Sequence, residues 1–439
     1  MQKPLKEYRK IKIVFTGLYS SLNNGELAML FSAKNLLSAV LPRENPPTFV
    51  VFPIYPDKCA DRYESKVVGF RFRGHLEFVV KAMLLMIQCV LFRCAKKTLR
   101  KTRLVDEITS ADVFVDLSGD SISDDYGMIS TLMRGYFFVL GILLDKPILV
   151  LGQTIGPFRS PFTRAFARYF LNKSKLITLR EKTSLAYLQS LGINSAPLVL
   201  TADLAFLLEP KYNQELDNAC LGRTGEPPLI GLCLSQQIHG WSFPNIQDPQ
   251  EKYATHVELM AHLVDHICDA SSAYVVVFPH VYGPLIEHDD RRIVQDVYSL
   301  VVNKQKVHCV RGMYSPNELK WLIGRFDMIV SSRMHPVIAA ASMFVPSVSL
   351  AYNHKYYGVI GDALNLKDYI IDVRNLTAVE LFSALKRKIE AAWKNKEAIR
   401  ESLQKTMPQV LQQASLNGVL SGHLIDELVE STQASINES

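Results

Sequence analysis

Residues 331–335, Ser-Ser-Arg-Met-His, set a guanidinium and an imidazole two positions apart, directly after the apolar run Met328–Val330. A guanidinium pairs with two oxygens of a carboxylate or phosphate at once. An imidazole titrates close to neutrality, which suits proton transfer. Pro336 follows and reads as the first helical position, where a missing N–H costs nothing; VIAAASM carries the helix on. VPSVSLAY then reads as a second strand ending at Asn353, His354 and Lys355. An Arg, two His and a Lys thus gather at the carboxyl ends of two neighbouring strands, the edge where an open α/β sheet binds ligands. The N-terminus of the helix between them adds anion-binding N–H groups. The chemistry served would be the holding of an anion that carries both phosphate and carboxylate. The plainer alternative is that Arg333 and His335 are surface residues of a common strand-helix-strand unit.

The elements that position these residues repeat along the chain. IKIVFTGLY (11–19) reads as a buried strand, followed by a turn and a helix from about Gly25 to Val40, with Asn23 or Asn24 as its cap and Glu26 in its first turn. Further strands are read at 49–53, at the start of 113–127 before an acidic loop, within the strand and loop 147–158, and at 175–181, with a last one at 197–208. Helices are read near 128–143, 161–173 and 182–193, and the acidic loop is Ser118–Asp125. Strands alternating with helices argue for parallel, doubly wound sheets. The polar, turn-rich stretch 209–228 reads as a linker. The pattern then restarts: strands at 228–237, 274–280 and 306–312, helices at 253–270, 284–302 and 315–326, and a mostly helical, charged end at 377–439. The domain reading is therefore 1–208, linker 209–228, 229–376, and C-terminal helices 377–439.

A chain of 439 residues is long for one core and favours two domains. Its 48% hydrophobic and 21% charged residues exclude a disordered chain. Seven scattered cysteines, with no C-x-x-C, read as reduced thiols rather than a disulfide framework or a zinc site. The start MQKPLKEYRKIKIVF reads as a short strand and not as the apolar part of a secretory signal, so a cytoplasmic protein is expected. Charge is uneven: residues 1–105 hold 19 Lys+Arg against 7 Asp+Glu (+12), and the other 334 hold 30 against 36 (−6). An anionic partner for the N-terminal part follows. Nucleic acid is not expected, because no nucleic-acid motif occurs and aromatics do not interleave with the basic run.

Within that basic part, an insertion at about 71–103 is unusual. Val79–Phe92 is apolar except for Lys81 and Gln88, and basic residues flank it. Those 14 residues would span about 21 Å as a helix, short of the roughly 30 Å hydrocarbon core. Two readings stay open: a helix lying in the surface of a membrane, giving peripheral contact through 79–103 at the inner face of the plasma membrane, or a helix buried against the first domain.

Four stretches together resemble the polysaccharide pyruvyl transferase family: Asn24-Gly25 after the first strand, LGQTIGPF (151–158), LREKTSLAYLQSLGI (179–193) with Arg180 at the family's arginine, and SSRMHPVIAAASMFVPSVSLAYNHKYYG (331–358). Glu26 stands where the family usually has Asp, Ser118-Gly119-Asp120 replaces a glycine-rich triplet, and Met334 replaces a Leu. The resemblance implies two Rossmann-like doubly wound domains facing across a cleft, the glycosyltransferase B-type fold. It implies transfer of the pyruvyl group of phosphoenolpyruvate to a sugar as a ketal, with phosphoenolpyruvate as co-substrate and neither cofactor nor metal; no His or Cys accompanies the acidic loop.

On that reading Arg180 and Arg333 grip the donor, each charge-assisted bond contributing roughly 1.5–3 kcal/mol; the alternative for either is a structural ion pair. His335 is the expected general acid, or else only a hydrogen-bond donor to phosphate. Lys355 steadies the phosphate beside Met334, and His280, at the end of YVVVFPH, is a further donor-side candidate or a core residue. The acceptor, a free sugar or a lipid-linked oligosaccharide, would meet Asn24, Gly25 and Glu26, with Gly119, Asp120 and Asp124 of the acidic loop, unless that loop is merely solvated. A nucleotide-sugar glycosyltransferase of the same fold and a non-catalytic, membrane-docked subunit of polysaccharide assembly are the rival readings.

Overall fold

The computed structural model describes residues 10–437 apart from 43, 45, 57–58, 96–101 and 222–226. It divides into two units. The first holds residues up to Ser21, Met29–Leu204 and everything from Gln412 on; the second holds Leu22–Ala28 and Ala205–Leu411.

The first unit is built on seven parallel strands. They are β1 (Lys12–Thr16), β2 (Thr48–Val51), β3 (Lys66–Val67), β4 (Val113–Asp116), β5 (Ile148–Gln153), β6 (Leu176–Leu179) and β7 (Leu198–Leu200), in spatial order 3-2-1-4-5-6-7. The order reverses between β1 and β4, so that is the topological switch point. β4 and β5 are buried along their whole length, which is why they read as unbroken apolar runs rather than alternating ones. The connecting helices are α1 (Asn24–Val40), α2 (His75–Ala95), α3 (Arg103–Thr109), α4 (Met128–Leu143), α5 (Pro161–Asn172) and α6 (Lys182–Ser190). Local chemistry fixes several helix starts. Ser160 accepts from Phe162 N–H with Pro161 in the first turn, and Glu181 caps α6 by accepting from Ser184 N–H.

The second unit carries six parallel strands. They are β8 (Leu229–Cys233), β9 (Tyr274–Phe278), β10 (Val307–Cys309), β11 (Met328–Ser331), β12 (Ser347–Ala351) and β13 (Ile370–Asp372), in order 10-9-8-11-12-13. Its switch point lies between β8 and β11. Its helices are α7 (Gln214–Leu221), α8 (Pro249–Ala270), α9 (Asp290–Leu300), α10 (Pro316–Ile323), α11 (Met334–Ser342) and α12 (Ala378–Lys394), and α13 (Lys396–Asn437) closes the chain. Ser315 and Glu318 form a capping box on α10, as the Ser-Pro-x-Glu sequence requires.

The structure differs from the sequence expectation in several places. The strand read at 197–208 is only Leu198–Leu200, followed by a 3-10 turn at Leu204–Leu207, and the helix read at 284–302 spans Asp290–Leu300. The stretch read as linker contains α7, whose Leu216 joins the core of the second unit. Pro336 is the third residue of α11, not the first; Met334 opens the helix, and Pro is tolerated because N–H groups of the first turn have no partner within the helix. The turn Leu22–Ala28 groups with the second unit rather than the first. The C-terminal helices do not form a separate body: α12 belongs to the second unit, and α13 passes from the second to the first at Gln412. There Asn417 donates to Ala202 O (3.0 Å) and accepts from Thr201 Oγ1 (3.1 Å), pinning α13 beyond the ends of β6 and β7.

Candidate functional site

Arg333 lies at the switch point of the second sheet, one residue beyond Ser332 and at the N-cap of α11. Its backbone is held by Ser331, whose hydroxyl accepts from Arg333 N–H (3.1 Å) and donates to Arg333 O (2.7 Å). Ser332 Oγ accepts from Ser235 N–H (2.7 Å), tying the ends of β8 and β11 together. Arg333 and Asp290 form a two-pronged ion pair, with Nε to Oδ2 at 3.1 Å and Nη2 to Oδ1 at 2.6 Å. Asp290 is fully buried and also accepts from Gln236 N–H (2.9 Å) and Val281 N–H (2.9 Å). One carboxylate therefore collects the ends of β8, β9 and β11. Burial alone would weaken the guanidinium's hold on its proton, but the Asp290 carboxylate more than offsets this, and Arg333 stays charged beyond its ordinary range. Two of its five N–H donors go to Asp290 and one Nη1 hydrogen reaches Gln237 Oε1 (3.5 Å), which leaves the second Nη1 hydrogen and one Nη2 hydrogen on a side chain that is 15% exposed.

His335 stands in the first turn of α11, and its ring rests on Gly25. A Cβ built on Gly25 would lie 2.2 Å from His335 Nδ1. The Asn-Gly pair of the first-strand turn is thus a seat for the imidazole. Asn24 anchors that seat: its N–H donates to His280 O (3.3 Å) and its Nδ2 to Tyr314 O (3.2 Å). Asn23 Oδ1 accepts from Gly25 N–H (3.0 Å), and its Nδ2 donates to Glu26 (3.1 Å). His280 is buried, with its backbone carbonyl serving the turn. Lys355 is also buried; its ammonium reaches Tyr352 Oη (3.4 Å) and sits over the Tyr352 and Tyr356 rings at 5.2 and 5.8 Å. Tyr352 stacks on Trp241 at 4.5 Å and acts electrostatically on Arg333, so the ends of β11 and β12 meet around it. Met334 is buried.

In the first unit Arg180 ends β6. Its side chain is 1% exposed and closes on the fully buried Asp203 (Nη1 to Oδ2, 2.6 Å) and on Thr154 Oγ1 (3.0 Å). This is the structural ion pair that the sequence left open for it: an enclosed guanidinium that braces two loops. Gln153, from the Gly-Gln motif, donates to Asp116 Oδ1 (2.7 Å) and Asp116 O (2.8 Å) at the end of β4. Burial pushes the Asp116 carboxyl up, against hydrogen bonds from Gln153 and Ser118 that favour its ionised form. Gly156 has φ +82°, and Tyr187 Cε1 would lie 2.3 Å from a Cβ there, so only glycine fits this motif position. In the acidic loop, Asp124 accepts from Thr131, Thr163, Arg159 N–H and Ser160 N–H at 2.6–3.2 Å. Burial would raise its carboxyl; those four donors hold it below the usual range. Asp120 accepts from Tyr126 Oη and lies beside Gly119, whose carbonyl takes Thr154 N–H.

The structure therefore brings Arg333, His335, Lys355, His280 and the Asn24–Glu26 turn to one sheet edge of the second unit. It places Arg180, Gly119, Asp120 and Asp124 in the first. Sequence reasoning missed Asp290, which as the second Asp of Asp289-Asp290 looks like an ordinary helix start, and missed the Trp241–Tyr352 stack. Among the described residues no group of three or more His, Cys, Asp or Glu is placed to hold a metal ion.

Two parallel-sheet α/β units of this kind define the glycosyltransferase B-type fold. A crystal structure of a glycosyltransferase from Rickettsia africae matches 96% of this chain and 99% of its own at 12% identity (TM-score 0.54). That of UDP-GlcNAc 2-epimerase from Neisseria meningitidis, bound to UDP-GlcNAc, matches 95% and 100% at 12% identity (TM-score 0.59). At such identities the likeness is one of fold. The amylovoran biosynthesis protein AmsJ of Erwinia amylovora is 22% identical over 325 residues, covering 70% of this chain and 71% of that protein. The family model for polysaccharide pyruvyl transferases matches residues 23–354, and the chain belongs to that family.

Proposed function

We propose that the protein transfers the pyruvyl group of phosphoenolpyruvate to two hydroxyls of one sugar in an exopolysaccharide or cell-surface glycan precursor, forming a ketal and releasing phosphate. The observation that carries this reading is Arg333, locked by Asp290 at a sheet switch point, with His335 two residues on in the first turn of a helix. The locked guanidinium offers its remaining donors to a carboxylate or phosphate without losing side-chain freedom on binding. The N–H groups of α11 and the Lys355 ammonium supply the rest of the anion's partners.

One sugar hydroxyl bonds to C2 of the enol while C3 takes a proton from His335. The C2–O bond to phosphate breaks, and a second hydroxyl of the same sugar closes on C2. The two hydroxyl protons balance those taken up by C3 and by the leaving phosphate. Arg180, enclosed with Asp203, is assigned to positioning the Thr154 loop rather than to touching the donor. His280 serves the turn that seats His335. Glu26 and the Gly119–Asp120 loop are proposed to meet sugar hydroxyls, whereas Asp124 is given to the fold of its own loop. The reaction is proposed to run in the cytoplasm, on a free sugar or a lipid-linked precursor.

Incubation with phosphoenolpyruvate and free or lipid-linked sugars, with assay of released phosphate, tests this. No turnover with any acceptor, together with no phosphoenolpyruvate binding by calorimetry, removes it. Release of a nucleoside diphosphate from a nucleotide sugar would select the glycosyltransferase reading instead.

A further inference from the structure

Helix α2 has two apolar faces. Phe78, Ala82, Leu85 and Cys89 are 0–6% exposed and belong to the core of the first unit, where Phe78 meets Phe70, Phe72 and Tyr136 with ring centroids 5.0–5.8 Å apart. Leu76, Val79, Val80, Met83, Leu84, Ile87 and Val90 are 41–79% exposed. On the helical period of about 3.6 residues the two sets fall on opposite sides. The ion pair Glu77–Lys81 (2.6 Å) and Gln88 mark one polar flank between them. Contiguous exposed apolar surface of this kind marks an interaction site.

We infer that this outward face of α2 is a docking surface for an anionic lipid bilayer, on which the helix lies in the plane of the interface. It stands on the helix alone and holds whichever reaction the protein catalyses. Charge selects the partner. Arg71 and Arg73 precede the helix and Arg93 ends it, all exposed, and the sequence continues with Lys96, Lys97, Arg100, Lys101 and Arg103. A second copy of the chain meeting this face by two-fold symmetry would set basic flank against basic flank, in either helix direction. Anionic headgroups complement both flanks. Depth follows from the core face. Leu76–Ala95 is 20 residues long with mean hydropathy 1.9, and at about 30 Å it would reach across a bilayer. Crossing would strip Phe78, Ala82, Leu85 and Cys89 from the protein core, whereas lying flat keeps them packed and immerses only the seven outward residues.

The test is cosedimentation of the full chain with vesicles of phosphatidylcholine alone or with phosphatidylglycerol, at low and high salt. Binding is expected to the anionic vesicles, weaker at high salt. Leu84→Glu with Ile87→Glu should weaken it about ten-fold or more at both salts, and Arg71→Ser with Arg73→Ser should weaken it mainly at low salt. Circular dichroism and phosphate release should be unchanged, since these side chains face outward. Absence of binding at low salt, or equal binding by the Leu84/Ile87 variant, overturns the inference. So does a dimer, seen by sedimentation velocity without vesicles, that this variant dissolves while the native chain ignores lipid. Retention in membranes through an alkaline carbonate wash would also overturn it, by marking a spanning helix.

Discussion

Arg333 and His335 differ in what their surroundings ask of them. Asp290 neutralises much of the Arg333 charge in the resting state, so the arginine contributes direction more than net charge. Arg333→Ala is expected to raise the dissociation constant for phosphoenolpyruvate about 10- to 150-fold, the equivalent of roughly 1.5–3 kcal/mol. Calorimetry measures it, with the melting temperature read alongside because Asp290 is left buried beside an empty place. An unchanged affinity would refute the donor contact. His335→Ala should leave that affinity nearly intact and lower kcat by about 10²–10⁴; unchanged turnover would reduce His335 to a hydrogen-bond donor. Gly25→Ala separates fold from chemistry. Helix propensity favours the alanine by about 0.8–1 kcal/mol, yet its Cβ would meet the imidazole at 2.2 Å and the ring must swing away. Stability should hold or rise while kcat falls at least about ten-fold, and urea melts run beside steady-state kinetics would show it. Parallel loss of both would mean that the ring's seat is structural.

At the scale of elements, most of the fold was legible because both sheets are buried on two faces, and their strands had to be continuous apolar runs between helical periods. The position of Arg333 and Lys355 just past two strand ends was legible for the same reason. What stayed hidden depended on contacts distant in sequence. Asp290 is separated from Arg333 by more than forty residues, and nothing around it reveals that three strand ends converge on it. Asn24-Gly25 looked like a first-domain acceptor turn; its partners Tyr314, His280 and His335 belong to the second unit. The polarity of 209–228 hid α7 because Leu216, which docks it, stands among polar neighbours. The acidic loop shows the reverse error: Asp124 advertised a ligand site, yet its oxygens are taken by the start of α5 and by Thr131 on α4. Asp124→Ala is therefore expected to cost about 1–3 kcal/mol in urea denaturation with the acceptor KM little changed. A large rise in that KM at unaltered stability would restore Asp124 to the acceptor site.

Across the molecule, the buried His256 ties stability to pH. His256, on α8, is fully buried near Phe243, and neither ring nitrogen has a hydrogen-bond partner among the described residues. Burial, aided by nearby His239, lowers its pKa to about 3. Burial likewise lowers His239, His288 and His308. His256 is neutral in the fold and takes up a proton on unfolding once the pH is below about 6.5; the other three act in the same direction. The unfolded chain then binds more protons than the native one, so stability rises with pH through this window: it is fully present above about 6.5 and is lost as the pH falls toward 3. For His256 alone the slope approaches about 1.4 kcal/mol per pH unit. Urea midpoints at pH 7.5, 6.5 and 5.5 should fall in that order, with the steepest change between the last two. His256→Leu, which replaces an unpartnered polar ring by an apolar side chain, should flatten that change and leave the midpoint at pH 7.5 equal or higher. A variant that keeps the full acid slope would show that the proton uptake belongs to other groups.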